Sequence, residues 1–580
     1  MNRWLLAGLA LLLGLGLRAP CLTLRPMHND EGVNAMKFGR LYVHNDYKYN
    51  PDEFHGPTLP YLTLPAAWLQ GGGDFNRFGE ATYRAVTVAF GLGLILLLPL
   101  LAGDLGRAET LWAAFFTALS PAFVFYSRYY IHETLLVFFT AWTFLCVWRC
   151  ARSGRAAWAV AGGVGLGLMY ATKETFVFAV AAMLLAVGTT VFLRRWKNGG
   201  KLCLARNDSD GIGSATVPVA LAGVSPANPT DKLSGAAAVF GETPKTAVET
   251  TALPKATESF EIAPRWKWPH LAAALAAAAM TAALFFSSFF TNPAGLLDAA
   301  RTYLPWMRRA GGATEHVHGW SFYFERLLFF HVRGGPVWSE GMIVALAAVG
   351  FLTALLGRSL LLRLIAFYTL WLTLIYTLLP YKTPWCLLGF YHGMILLAGA
   401  GAVTLWRGCR APGLKAAAAA ALAAGLLHLG WQSWRGNFAA DAHGVPYCVS
   451  GKSPYVYSQT LPNALELAAT VEALARVSGQ GAATLVEVMS PVSYGPLPWY
   501  LRRFQNVGYW DDIPRQPPVP FSSAPIIIVS TDLRATFDQG PGRTHLMAGY
   551  FALRPQVFLE LYVNTNLWAA YVKTLPPEKD

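Results

Sequence analysis

The feature that most limits how this chain can fold is its series of long apolar runs. A helix that crosses a bilayer needs about 20 mostly apolar residues. Runs of this kind recur at Trp4–Leu24, Ala81–Gly103, Glu109–Tyr126, Leu135–Ala151, Ala156–Thr172, Phe176–Leu193, Leu271–Phe290, Met342–Leu356, Leu364–Pro380, Pro384–Trp406 and Lys415–Trp431. The expected fold is therefore an α-helical integral membrane protein with roughly 11 spans. Only 14% of the residues are charged, against about 25% in a soluble domain. Pro20 makes Ala19-Pro20-Cys21 a poor cleavage or lipidation site, so the first run is expected to stay as an anchor.

Orientation follows from the basic residues of short loops. Arg107, the group Arg149, Arg152 and Arg155, the group Arg194, Arg195, Lys197 and Lys201, Arg358 with Arg363, and Arg407 with Arg410 and Lys415 all fall in alternate loops. These loops and the N-terminus are expected in the cytoplasm, in the inner membrane. The intervening loops and the tail after Trp434 are then extracytoplasmic. They hold HNDE, SRYYIHE, YATKE, the stretch 291–341 and YKTPW, with the cations Arg128, Lys173, Arg301, Arg308, Arg309, Arg333 and Lys382. Cations gathered where the charge rule disfavours them suggest an anionic ligand, although single side chains of this kind also snorkel to headgroups.

Two segments differ from the spans. Residues 201–261 are rich in Ala, Gly, Ser, Thr and Pro and are expected to form a disordered cytoplasmic insertion within a membrane domain of residues 1–433. Residues 434–580 return to soluble patterning and are expected to form a small α/β extracytoplasmic domain. TLPNALELAATVEALARVSG has helical periodicity over 461–477, and ATLVEVMS and APIIIVST are strand-like. The seven cysteines show no CxxC spacing, and no phosphate-loop or dinucleotide-binding motif occurs. The net charge of +13 is accounted for by basic inner loops, with no nucleic-acid signature.

Polar residues cluster where spans are expected to end. His28-Asn29-Asp30-Glu31 follows the first run directly, and Glu53-Phe54-His55-Gly56-Pro57 lies later in the same loop. Ser127 to Glu133 opens the fourth span; as a helix it would put Arg128 and His132 on one face, with Glu133 beside them. An acid at a helix start is often only a cap. Carboxylates and cations together at a membrane face also suit transfer of a sugar from a polyprenyl phosphate. Cations would stabilise the phosphate leaving group and a carboxylate would serve the acceptor hydroxyl.

At these residues the chain resembles the GT-C glycosyltransferases, in particular the branch of protein O-mannosyltransferases and aminoarabinose transferases. HNDEGVNA resembles that branch's first-loop acidic motif, which implies Asp30 as catalytic base with Glu31 beside it. EFHGPTLPYL resembles its His-or-Lys-Pro-Pro-Leu stretch, with Gly56 in place of the first proline, and so implicates His55. SRYYIHETLLVFF carries Arg128 and Glu133 over, and GLMYATKETFVF carries Lys173. YKTPWCLL and PWYLRRFQNVGYW resemble stretches of a flippase-activity-associated family of archaea and bacteria, linked in archaea to N-glycosylation.

The resemblance implies a GT-C-like fold and a membrane glycosyltransferase. It would move a sugar from a polyprenyl-phosphate donor to an extracytoplasmic protein, lipid or glycan acceptor. Asp30, Glu31 and Glu133 are the expected catalytic acids; His55, Arg128, His132, Lys173 and Lys382 are expected to bind donor or substrate. His316 and His318 form an HxH pair that could take a divalent metal, which nothing else in the sequence requires. The alternative is a flippase-associated component that moves the lipid-linked sugar without chemistry; it would favour paired repeats with broken helices at the bilayer midplane. The sequence names neither sugar nor acceptor, nor an oligomeric state.

Overall fold

A computed structural model of the chain describes residues 3–53, 55–197, 265–310, 316–513, 524–539 and 543–576. The expected insertion at 201–261 lies outside them. Contacts place Met1–Leu193 and Pro264–Asp580 in one compact unit, so the tail and the spans pack together.

The membrane part is built of α1 (Arg3–Arg18), α2 (Asn29–His44), α3 (Thr58–Leu69), α4 (Glu80–Leu97), α5 (Arg107–Leu119), α6 (Pro121–Ser127), α7 (Glu133–Ser153), α8 (Ala156–Thr172), α9 (Phe176–Lys197), α10 (Trp268–Phe286), α11 (Gly341–Leu356), α12 (Leu360–Leu378), α13 (Leu388–Gly408) and α14 (Pro412–Phe438). Among the described residues, seven helical segments are long and apolar enough to cross a membrane alone. Three shorter apolar helices and one bent pair accompany them, and these cover the remaining expected spans. The protein is a multi-pass membrane protein.

The bent pair is where Glu109–Tyr126 was expected as one run. α5 and α6 meet at 58°, because Pro121 cannot continue the α5 hydrogen-bond ladder. The freed groups are satisfied from across the bundle. The buried Glu340 carboxylate accepts from Ala122 N at 2.9 Å, Ser120 Oγ at 2.6 Å, Tyr391 OH at 2.8 Å and Tyr455 OH at 2.7 Å. Such internal pairing is what backbone irregularity requires away from water. Elsewhere small residues set close approach: a Cβ on Gly163 would lie 2.1 Å from Ala274 O, so α8 and α10 pack nearly backbone to backbone.

The tail adds α15 (Asn463–Val477), β1 (Val486–Met489), β2 (Val507–Trp510), β3 (Ile526–Ser530), β4 (His545–Arg554), β5 (Val557–Asn564) and α16 (Thr565–Val572). The sheet order is β2-β1-β3-β5-β4. β1 runs parallel to β2 and β3, and the β4–β5 hairpin closes the other side antiparallel to β3. Alternation divides the residues: Val486, Val488, Ile526 and Ile528 join Leu467, Val471 and Leu474 in one core, while Met489, Ile527, Val529 and Tyr562 form another. The tail docks on the first long loop. Tyr500 OH accepts from Met27 N at 2.7 Å, Gln459 Nε2 donates to Pro26 O at 3.0 Å, and Gly32 leaves room for Pro496.

Candidate active site

Chain connectivity puts the C-termini of α1, α6, α8, α12 and α14 and the N-termini of α4, α7, α9, α11 and α13 at one end of the bundle, and the polar motifs meet there. The first is organised by a helix start. His28 is the N-cap of α2; its Nδ1 accepts from Asp30 N at 3.1 Å, while Glu31 Oε2 accepts from His28 N at 2.9 Å. That reciprocal capping box spends Glu31 on structure. Its fully buried carboxylate also receives a two-pronged contact from Arg84, with Nε to Oε1 at 2.8 Å and Nη2 to Oε2 at 2.7 Å, and accepts from Tyr130 N at 2.9 Å. Burial by itself would raise the Glu31 carboxyl; Arg84, Arg25 and these hydrogen bonds bring it down to about 2. Arg84 further donates to Leu22 O at 2.6 Å and Arg25 O at 2.8 Å, tying the loop to α4.

Arg128 belongs to the same framework. It donates to Arg18 O at 2.8 Å, Pro20 O at 2.6 Å and Cys21 O at 3.0 Å, and its guanidinium lies over Phe438. It thus satisfies the orphan carbonyls that end α1. The expected shared face of Arg128 and His132 does not form, because α7 begins at Glu133 and residues 128–132 are a connection between α6 and α7. His132 turns the other way, with Nε2 to Gly56 O at 3.1 Å. Burial, then the charges of His55, Lys37 and Lys173, hold its imidazole well below its ordinary range, so it is neutral.

Beyond this framework lies a cavity of about 1150 Å³. Its walls include Asp30, Lys37, Glu53, His55, Lys173 and Glu174, with Trp385 and Cys386 ahead of α13 and Ser493, Asp532 and Arg554 from the tail. Most charges on the bundle side are paired. Lys173 Nζ bonds Glu133 Oε1, Lys37 bonds Glu53, and Glu174 Oε2 meets His55 Nδ1 at 3.2 Å. Burial would lower the Lys173 ammonium, but Glu133 raises it well above its usual value. Glu133 is thus the ion-pair partner of Lys173 and does not itself line the cavity. Asp30 differs: its side chain is one-third exposed (34%), and its polar neighbours are His28 Nδ1 at 3.9 Å and Asn29 Nδ2 at 3.3 Å, with no lysine or arginine partner among the described residues.

Lys382 does not line the cavity. Its ammonium donates to His318 O at 3.1 Å and to Leu379 O, its backbone N donates to His316 O at 2.9 Å, and burial pushes it below its ordinary range. His316 Nδ1 and His318 Nε2 both contact Tyr457 OH, at 2.7 and 2.9 Å. No group of three potential metal-ligating His, Cys, Asp or Glu side chains occurs among the described residues. The loop cations Arg301, Arg308 and Arg333 are exposed.

Below the charged link an apolar groove of about 460 Å³ runs between α8, α9 and α10. Tyr170 and Phe176 line the groove, while Lys173 and Glu174 between them line the cavity. Sequence reasoning passed over Glu174, Lys37 and Arg84. An arginine inside the run Ala81–Gly103 was a readable signal, since a charge there needs a partner. Glu174 stands next to Lys173 in YATKE, but its partner is 119 residues away in sequence, which spacing does not reveal.

Together, the bundle, the polar end and the small tail sheet define a GT-C-like fold, as the resemblance implied. Residues 11–207 match the family model of the dolichyl-phosphate-mannose-protein mannosyltransferases. The chain is similar in structure to ArnT from Cupriavidus metallidurans bound to undecaprenyl phosphate, with a TM-score of 0.54 and 12% identity over 96% of this chain and 97% of that one. Apo ArnT gives 0.55 and 11% over 97% and 98%. The Archaeoglobus fulgidus oligosaccharyltransferase, tethered with an acceptor peptide, gives 0.48 and 12% over 88% and 64%. No curated protein matches the sequence.

Proposed function

We propose that the chain is a membrane glycosyltransferase that moves a sugar from a polyprenyl-phosphate donor to an acceptor outside the cytoplasm. The observation that carries this reading is the polar cavity holding Asp30, His55 and Lys173 directly beside an apolar groove. A lipid with a charged head and a long tail has that division of chemistry. ArnT, which shares the fold, has been seen with undecaprenyl phosphate. The outward placement rests on the opposite end of the bundle, where Arg107, Arg149, Arg152, Arg155, Arg407 and Arg410 gather.

In this reading Asp30 takes the proton of an acceptor hydroxyl, whose oxygen attacks the anomeric carbon. The bond from that carbon to the phosphate oxygen breaks, and polyprenyl phosphate leaves with the electron pair, in one inverting displacement. Lys173, which lines the cavity together with His55, is the cation offered to that leaving charge. Glu133 holds Lys173, and Glu31 holds the helix that presents Asp30. Arg128 and Lys382, first expected to bind donor, are assigned to loop carbonyls instead.

The test is transfer of radiolabelled sugar from membrane-extracted polyprenyl-phosphate sugars by the full chain in liposomes. Wild type should transfer label to acceptor and Asp30→Asn should not, with equal donor retention. Movement of the lipid across the bilayer with no sugar transferred would overturn the enzyme reading in favour of a flippase component.

A further inference from the structure

Part of the cavity wall comes from the tail. It consists of Val492 and Ser493 after β1, Asp532 after β3, and Arg554 and Gln556 at the β4–β5 turn. β1 and β3 are parallel neighbours, so their carboxyl ends share one edge of the sheet. The chain leaves β1 for β2 on one side and leaves β3 for the β4–β5 hairpin on the other. Where connections part in this way, an open α/β sheet has a crevice outside its strand ends, and ligands of such sheets bind there. The residues that follow both strands line the cavity, so the crevice opens into it.

The crevice is fastened next to Asp30. Ser493 Oγ donates to Asn29 Oδ1 at 3.2 Å, and Asn29 Nδ2 donates to Asp30 Oδ1 at 3.3 Å. A Cβ at Gly495 would lie 1.8 Å from Asn29 Oδ1, so the loop after β1 closes on α2 at a glycine. Arg554 Nη2 donates to Ser493 O and ties the β4–β5 turn to the same loop. Asp532 is exposed; its carboxylate accepts from Ser530 Oγ at 3.3 Å and has no lysine or arginine partner among the described residues. Gln556 is exposed as well.

We propose that this crevice is the acceptor subsite and that it takes a carbohydrate, whose hydroxyls donate to Asp532 while another reaches Asp30. The inference rests on the glycosyltransferase reading above and adds to it the chemical class of the acceptor. An ionised carboxylate has two oxygens that only accept, which suits a pair of neighbouring sugar hydroxyls. An extended peptide has less to hold it. Strand addition needs an open sheet edge, whereas the outer strands are β2 and β4 and the crevice lies at the ends of the inner strands β1 and β3. Donor and acceptor are then held by different parts of the chain, the bundle and the tail, in the cavity that Asp30 also lines.

The test uses the full chain in liposomes with radiolabelled membrane-extracted donors. Acceptors are the methyl glycosides of glucose, mannose and arabinose and, separately, a peptide rich in Ser and Thr. Wild type should label a glycoside with saturation. Asp532→Asn should raise the KM for that glycoside roughly tenfold, the scale of one hydrogen bond to a charged group. Its kcat, melting temperature and binding of undecaprenyl-phosphoglucose should match wild type. Asp512→Asn, an exposed tail carboxylate that does not line the cavity, should change nothing. An unchanged KM in Asp532→Asn overturns the inference, as does an equal rise in Asp512→Asn. Loss of lipid binding in Asp532→Asn also overturns it, by giving the crevice to the donor. If Asp532→Asn melts lower, the KM of Gln556→Ala decides in its place. Label passing to the peptide and to no glycoside overturns the carbohydrate assignment alone; label passing to no acceptor, water included, overturns the glycosyltransferase reading as well.

Discussion

Asp30 and Glu31 are neighbours with opposite fates. Glu31 is fully buried, closes the cap of α2 and is gripped by Arg84; Asp30 is one-third exposed on the cavity wall, with an imidazole and an amide as its side-chain polar neighbours among the described residues. The difference extends to whole regions. The framework around Glu31, Arg84, Arg25 and Arg128 aims its charges at backbone carbonyls and at one another. The cavity region around Asp30, His55, Lys173 and Glu174 aims its charges at open space or pairs them along a wall. Similar residue types in one loop system thus divide into groups bound into the framework and groups that line the cavity.

The comparison breaks most sharply at Asp30. Asp30→Asn should lower sugar transfer in liposomes by roughly 10²–10⁴-fold, the range for loss of a general base, with an unchanged melting temperature. A melting temperature that falls along with activity would move Asp30 into the framework. The framework half is tested by Arg84→Met, which leaves the buried Glu31 carboxylate without its main partner. Removing one member of a buried pair costs about 3–5 kcal/mol, so a marked loss of thermal stability in detergent is expected; stability equal to wild type would refute the assignment.

The pH dependence of stability sharpens the same contrast. The Glu31 carboxyl sits at about 2 against an ordinary 4.5. Its contribution is fully present above 4.5 and is lost as the pH falls toward 2, because the unfolded chain takes up the proton first. The melting temperature of wild type should therefore drop through that window, and Glu31→Gln, already lower at neutral pH, should drop less steeply. The smallest effect is expected at Lys382. Lys382→Met removes hydrogen bonds to two carbonyls at about 1 kcal/mol each, lowering stability slightly while binding of undecaprenyl-phosphoglucose stays as in wild type. A large loss of binding in that variant would return Lys382 to the site.

Much of the architecture was legible in the chain. Apolar length marked each span, since burial in lipid demands a continuous apolar surface. Helical periodicity placed α15, and the β-branched runs placed β1 and β3. The β4–β5 hairpin escaped because register shifts at Met547/Gly549 and Ala552/Arg554 break the period-two alternation that marks a strand. The bend at Pro121 escaped because apolarity runs through it unbroken, although Pro121 itself was in view. For the site, the motifs drew attention to the first loop and to the α8–α9 link, which both reach the cavity. They could not separate a carboxylate that caps a helix from one that faces a cavity, since both stand in the same four letters.

The sequence alone determined that this chain crosses a membrane many times and gathers its acids and cations at one set of helix ends, because hydrophobic length and charge placement are local properties of the chain. Only the tertiary structure decided which charges neutralise each other. That choice depends on Arg84 reaching Glu31 and Glu174 reaching His55 across 53 and 119 residues of chain, where desolvation makes every unpaired charge costly and so selects the partners.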